Sequence, residues 1–204
     1  MKKIGFIFAS LFLILTAEAQ KQKTTIAKSW RDPETMIKVG QFQKILVVAF
    51  VKNPANRKVV EDDIVKQLKS KGIPSYAVLG EGVSDLSDEA LSEKIKNEGF
   101  DGAVVMQLID PEKEMQYTPG TGTYPASYNS FYPYYGGASY KYKDPEYFSK
   151  HDLYVVETNI YSLKENKLIW SGITNSIDPK NIDKMVESIG KLITSEMKKQ
   201  GFLF

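Results

Sequence analysis

The clearest hydrophobic pattern in the chain is the unbroken run Ile-Leu-Val-Val-Ala-Phe-Val at 45–51. Apolar residues at odd and even positions alike need cover on both faces, which predicts the most buried strand of an α/β sheet, central and parallel to its neighbours. Asn53-Pro54 follows at once, the pairing of an N-cap with proline at the first helical position. Val60, Ile64, Val65 and Leu68 then make one apolar helical face, and Gly72 is the expected stop. Residues 74–79 form a weaker strand. The plan repeats from Ser87, a cap ahead of Leu91 and Ile95 on one face, with Gly99 as terminator and a second continuous apolar strand at 102–109. Two successive β-α-β units imply parallel strands with right-handed connections.

On either side of this centre, residues 25–30 give a short β-branched and aromatic strand ended by Arg31-Asp32-Pro33. Residues 153–162 and 167–177 flank the polar turn Lys164-Glu165-Asn166 and predict an antiparallel hairpin. Asp178-Pro179 opens a last helix in which Ile182, Met185, Val186, Ile189, Ile193 and Met197 recur at helical spacing. Trp30 and Trp170 fall within or at the ends of strands, as packing residues between sheet and helix. The expected fold is a single α/β domain over 20–204, with a mixed five- or six-stranded sheet, two parallel β-α-β crossovers, three helices, a C-terminal antiparallel hairpin and a terminal helix.

Residues 111–150 break the periodicity with closely spaced glycine and proline, and 117–148 holds nine of the chain's twelve tyrosines. A long inserted loop is expected there. Tyrosine joins a broad apolar face to a hydroxyl with few rotamers to lose, so Tyr124, Tyr128, Phe131, Tyr132, Tyr134, Tyr135 and Tyr140 are the candidate binding residues, facing an envelope protein, a glycan or a bilayer. The other reading has these rings tack the insertion onto its own domain, or leaves the loop disordered.

Lys2 and Lys3 precede an apolar stretch at 4–15 and then Ala17-Glu18-Ala19, the order of a secretory signal peptide over 1–19, with cleavage after Ala19. The stretch is short for a spanning helix, which needs about 20 apolar residues, so the mature chain is expected without a transmembrane segment. A chain with no cysteine has no disulfide and no lipidated N-terminal Cys. Periplasm or outer-membrane periphery of a Gram-negative bacterium is the expected address.

Composition narrows the chemistry. At 42% apolar and 25% charged residues the 204-residue chain is globular, and a net charge of +2 gives no reason to expect a nucleic-acid partner. One histidine and no cysteine exclude thiolate nucleophiles and every triad or metal set that needs two imidazoles, so no metal and no cofactor are assigned. Neither a P-loop nor a dinucleotide glycine pattern follows any strand. His151 reads as an exposed residue at a strand entrance. Glu61-Asp62-Asp63 reads as a solvated cluster near a helix start, since adjacent helical residues point apart. An exported, non-catalytic envelope binding or assembly module is therefore the leading expectation, and a periplasmic hydrolase with dispersed carboxylates the alternative.

Ser29-Trp30-Arg31-Asp32-Pro33, the strand at 45–50, Lys52-Asn53-Pro54-Ala55-Asn56-Arg57 and Leu168-Ile169-Trp170-Ser171-Gly172 together resemble a family of uncharacterised bacterial cell-envelope proteins, many of them lipoproteins, that open with Trp-x-Asp-Pro. The resemblance covers nearly the whole mature chain. More loosely, the Leu-Ile-Trp-x-Gly strand after a polar turn is similar to the domain of unknown function 4136 family. The resemblance implies an exported α/β module with a Tyr/Gly/Pro-rich insert and transfers no catalytic residue.

Overall fold

The computed structural model describes residues 23–36, 40–51, 53–80, 87–109, 126–141, 153–177, 179 and 181–200. Residues 1–19, where a signal peptide is expected, Tyr124 and His151 lie outside the described residues. Six strands, β1 (Lys23–Arg31), β2 (Ile45–Phe50), β3 (Gly72–Pro74), β4 (Gly102–Ile109), β5 (Leu153–Ser162) and β6 (Lys167–Ile177), form one sheet in the order β1-β6-β5-β4-β2-β3. The strand β2 runs parallel to β3 and β4, and the other pairings are antiparallel. Among the described residues five α-helices accompany them: α1 (Pro54–Leu68), α2 (Ser75–Leu79), α3 (Asp88–Asn97), α4 (Phe131–Lys141) and α5 (Ile182–Lys199). The mixed α/β sheet, both parallel crossovers, the late hairpin and the terminal helix are all present.

The alternation of side chains along each strand sorts the core into two layers. Val47, Ala49, Val104, Met106 and Val156 meet α1 and α5 on one face. Leu46, Val48, Phe50, Ala103 and Val105 meet α2, α3 and α4 on the other. The continuous apolar run of β2 thus has cover on both sides, as its pattern requires, although β2 stands second from the sheet edge rather than at its centre. Its outer neighbour β3 is three residues long and pairs only with Ile45, Leu46 and Val47.

Caps fix several helix starts. The Asn53 side chain accepts from the Ala55 and Asn56 N–H groups at 2.9 and 3.3 Å, and Ser87 accepts from Ala90 N–H at 3.3 Å. Gly99 ends α3 with φ of 75°. Other boundaries differ from the pattern. A 3₁₀ turn, Lys69–Lys71, closes α1 before Gly72, which begins β3. The last helix starts at Ile182 with Asn181 as its cap, three residues after Asp178-Pro179.

Two corrections are larger. Residues 75–79 are helical, because the buried Glu61 carboxylate takes the Tyr76 N–H at 3.1 Å and the Ser75 hydroxyl at 2.6 Å and turns the chain away from the ladder after Pro74. The expected loop contains α4, whose Phe131, Tyr134, Tyr135 and Ala138 recur at i, i+3, i+4 and i+7 and are all buried. Pro133 lies in its first turn, where no backbone N–H is needed. At Gly136 an added Cβ would come within 2.9 Å of Asp88 Oδ1, so glycine there allows α4 to close on α3. The Asn166 side chain in the hairpin turn accepts the Phe131 N–H at 3.1 Å and holds the start of α4.

Asp32, in the Trp-x-Asp-Pro segment, closes the end of β1. It accepts the Lys167 ammonium at 2.7 Å, the Thr35 hydroxyl and the Glu34 N–H. Burial works to raise its pKa, but those hydrogen bonds outweigh it and leave the carboxyl below its ordinary value. Trp170 is fully buried and Trp30 half-buried against the opposite layer. The Trp170 ring lies across Gly172, where an added Cβ would sit 2.3 Å from a ring carbon. Gly172→Ala should therefore overpack this corner and lower stability by about 1–3 kcal/mol in urea denaturation, while Ile177→Thr, at an exposed strand end, should leave the midpoint within experimental error.

Candidate functional site

The direction of three strands determines where a site forms. With β2 parallel to β4, and β6 parallel to β4 through the intervening antiparallel β5, all three end at the same edge of the sheet. Both α1, leaving β2, and α5, leaving β6, start at that edge and aim their first free N–H groups toward it. Crevices outside the carboxyl ends of strands are where open α/β sheets accept ligands.

A cleft of about 360 Å³ lies there. Its walls are apolar, with Val51, Val60, Met106, Leu108, Val156 and Met185 among them, and Asn53, Asn56 and Asn181 supply amides. The Asn181 side chain caps α5 by accepting Lys184 N–H at 2.9 Å, as Asn53 caps α1. The field at the rim is therefore that of two helix N-termini, which favours negative or hydrogen-bond-accepting groups. The described lining contains no carboxylate, imidazole or amine. Such a site can select by shape, apolar contact and hydrogen bonding, with the Tyr154 phenol as the one titratable side chain in the described lining.

The candidate aromatic residues stand elsewhere. Tyr128, Phe131, Tyr132, Tyr134 and Tyr135 are each at most 7% exposed and belong to the core layer beneath α3 and α4, so they are not an open stacking platform. Their edges and faces pack on one another, with Phe131 against Tyr161 at 5.6 Å and Tyr128 against Tyr134 at 4.8 Å between ring centroids. Tyr140 is on α4, and Tyr124 lies outside the described residues. The reading in which these rings tack the insertion onto its domain is the one the burial supports.

The carboxylates are structural as well. Glu61, expected in solvent, is fully buried and accepts from Ala49 N–H at 3.1 Å, Arg57 Nε at 2.9 Å, Ser75 and Tyr76 N–H. Arg57 in turn donates to the Ser75 hydroxyl at 2.8 Å. The sequence carried one signal for this pair, the i,i+4 spacing of Arg57 and Glu61. Asp101 accepts the Gln43 and Lys44 N–H groups that lead into β2, at 2.9–3.1 Å. Glu157 on β5 accepts from the Tyr134 hydroxyl at 2.9 Å and from the Gln107 amide. Burial, then the Glu157 charge, pushes the Tyr134 phenol well above its ordinary pKa, so it remains a donor. Beside them Asn159 and Ser171, opposite each other on β5 and β6, are fully buried, and their side chains have no hydrogen-bond partner among the described residues. No group of three or more His, Cys, Asp or Glu suited to a metal occurs among the described residues.

Among those residues no helix is long and apolar enough to cross a membrane. Neither family models nor curated proteins match the chain. Among solved structures, the PelC dodecamer from Paraburkholderia phytofirmans is similar at 8% identity over 84% of this chain and 96% of that one, with a TM-score of 0.41. A variant PelC dodecamer from the same organism aligns at 9% identity over 82% and 96%, with a TM-score of 0.40. Neither likeness bears on function.

Two substitutions separate satisfied from unsatisfied burial. Glu61→Leu strips Arg57 of its carboxylate and should cost about 3–5 kcal/mol, whereas Asn159→Leu removes an unpartnered amide and should be near neutral or stabilising, both read by chemical denaturation. The Tyr76 hydroxyl donates to Asp62 at 2.7 Å, and that bond, with burial and the Asp62 charge, pushes its pKa up to about 12. Because the folded value is the raised one, this contribution to stability is complete below the ordinary tyrosine pKa and disappears as pH rises through about 12. NMR titration of tyrosine ring carbons should show the Tyr76 ring titrating late, and Asp62→Asn should return that ring toward the ordinary range.

Proposed function

We propose that the protein is an exported, non-catalytic binding module of the bacterial cell envelope, and that the cleft between the α1 and α5 N-termini is its ligand seat. The cleft itself carries the reading: apolar walls for the body of a ligand, amides and helix N–H groups for one polar end, and no carboxylate, imidazole or amine in the described lining. The Lys-Lys, apolar, Ala-x-Ala opening supports export, and the resemblance to envelope proteins that open with Trp-x-Asp-Pro supports the address. In this chain the Asp of that opening pairs with Lys167.

The test is amide NMR on the exported protein titrated with anilinonaphthalene sulfonate, a fused apolar ring system with one anionic group. Amides of Asn53, Asn56, Asn181 and Ile182 should shift together, and Ile182→Trp, which fills the rim, should abolish the shifts. Shifts confined to α4, or unchanged in Ile182→Trp, would move the seat elsewhere. A hydrolytic activity lost on substituting a carboxylate outside the cleft would make the protein an enzyme. Intact mass after expression in a Gram-negative host should lack residues 1–19.

A further inference from the structure

Taking the cleft as the ligand seat, we infer that its ligand is a single-chain amphiphile, a medium-length fatty acid whose carboxylate lies at the two helix N-termini and whose alkyl chain runs beneath α1 and α5.

A second cavity of about 160 Å³ lies on the same face of the sheet. Each wall of the first continues into the second by one or two structural repeats. On α1 the lining passes from Val60 to Ile64, one turn on, and on α5 from Met185 and Val186 to Gly190 and Ile193. Along β4 it passes from Leu108 to Val104, and along β5 from Val156 to Thr158 and Ile160. Met106 borders both cavities. Four walls that step in the same direction and share a residue make one corridor, and Leu108 to Val104 sets its length at about 13 Å, from four strand residues of about 3.3 Å each.

The corridor is asymmetric in the way an amphiphile is. One end has the amides of Asn53, Asn56 and Asn181 and the two helix starts, and the other part is apolar apart from Gln67, Thr158 and Thr194. Methionine at the junction suits an intermittent passage, because an unbranched thioether with three rotatable bonds repacks easily. Thr158 is 2% exposed and its hydroxyl has no hydrogen-bond partner among the described residues, a polar position inside the corridor that the protein does not fill. A compact ligand would use only the first cavity, while a chain uses both.

The test is calorimetric titration of the exported protein with hexanoate, decanoate and decanol. From hexanoate to decanoate the affinity should rise about fourfold per methylene, and decanoate should bind more tightly than decanol. Met106→Trp should plug the junction and cancel the chain-length gain while hexanoate still binds. Thr194→Trp, which fills the second cavity from an exposed position, gives the same answer if the first variant does not fold. Equal affinity for hexanoate and decanoate, a gain that survives both plugs, or tighter binding of decanol would overturn the inference. If neither acid binds while the sulfonate still shifts the cleft amides, the fatty acid is wrong and the cleft stands; if those amides never shift, both readings fall.

Discussion

The fold turns on a carboxylate withdrawn from water. Glu61 has no exposed surface, yet it joins the backbone of β2 at Ala49, the guanidinium of Arg57 one turn earlier on α1, and the first residues of α2. Burying one charge is costly, and the cost is offset only when hydrogen bonds and an opposite charge are all in place together. The position of α1 over β2 and the bend after β3 are thus coupled: neither is satisfied without the other. Asp101 does comparable work at the opposite end of β2, holding the Gln43 and Lys44 N–H groups. Between them the two carboxylates fix both ends of the first parallel strand, and with it the direction in which α1 departs.

That direction explains why the cleft is where it is. Because α1 and α5 begin at one edge of the sheet, their caps converge although Asn53 and Asn181 are far apart in sequence. Where the two helices continue side by side, Gly190 admits the Gln67 side chain so closely that an added Cβ would lie 1.8 Å from its oxygen. The helices touch at that point, and at the strand ends the cleft is lined by apolar strand residues such as Met106 and Leu108.

Most of the architecture was legible in the sequence, because continuous apolar runs, caps and helical spacing are local signals. The run at 45–51, the Asn53-Pro54 start and the α5 face needed no knowledge of distant residues. The errors arose where a local signal had a non-local partner. Residues 75–79 read as a strand until Glu61 captures Ser75 and Tyr76, and Glu61 itself read as solvated because its acidic neighbours masked the spacing to Arg57. In α4 the helical recurrence of Phe131, Tyr134, Tyr135 and Ala138 was visible, but Pro133, Gly136 and Gly137 outweighed it as loop signals. The cleft was not legible at all, since its amides look like ordinary caps until strand order brings two helix starts together.

The placement of β1 sets the order in which the fold can be completed. Among the described strands it pairs with β6 alone, and its Ser29 meets Glu196 and Gln200 at the end of α5. The first described strand and the last helix therefore close the same corner. A chain emerging amino end first presents β1 long before its template exists, so that strand waits, unpaired, until almost the whole sequence has followed. Lys28 along it, and the irregularity in pairing between Ile26 and Lys28, are features that discourage an extended strand from joining the wrong neighbour in the interval.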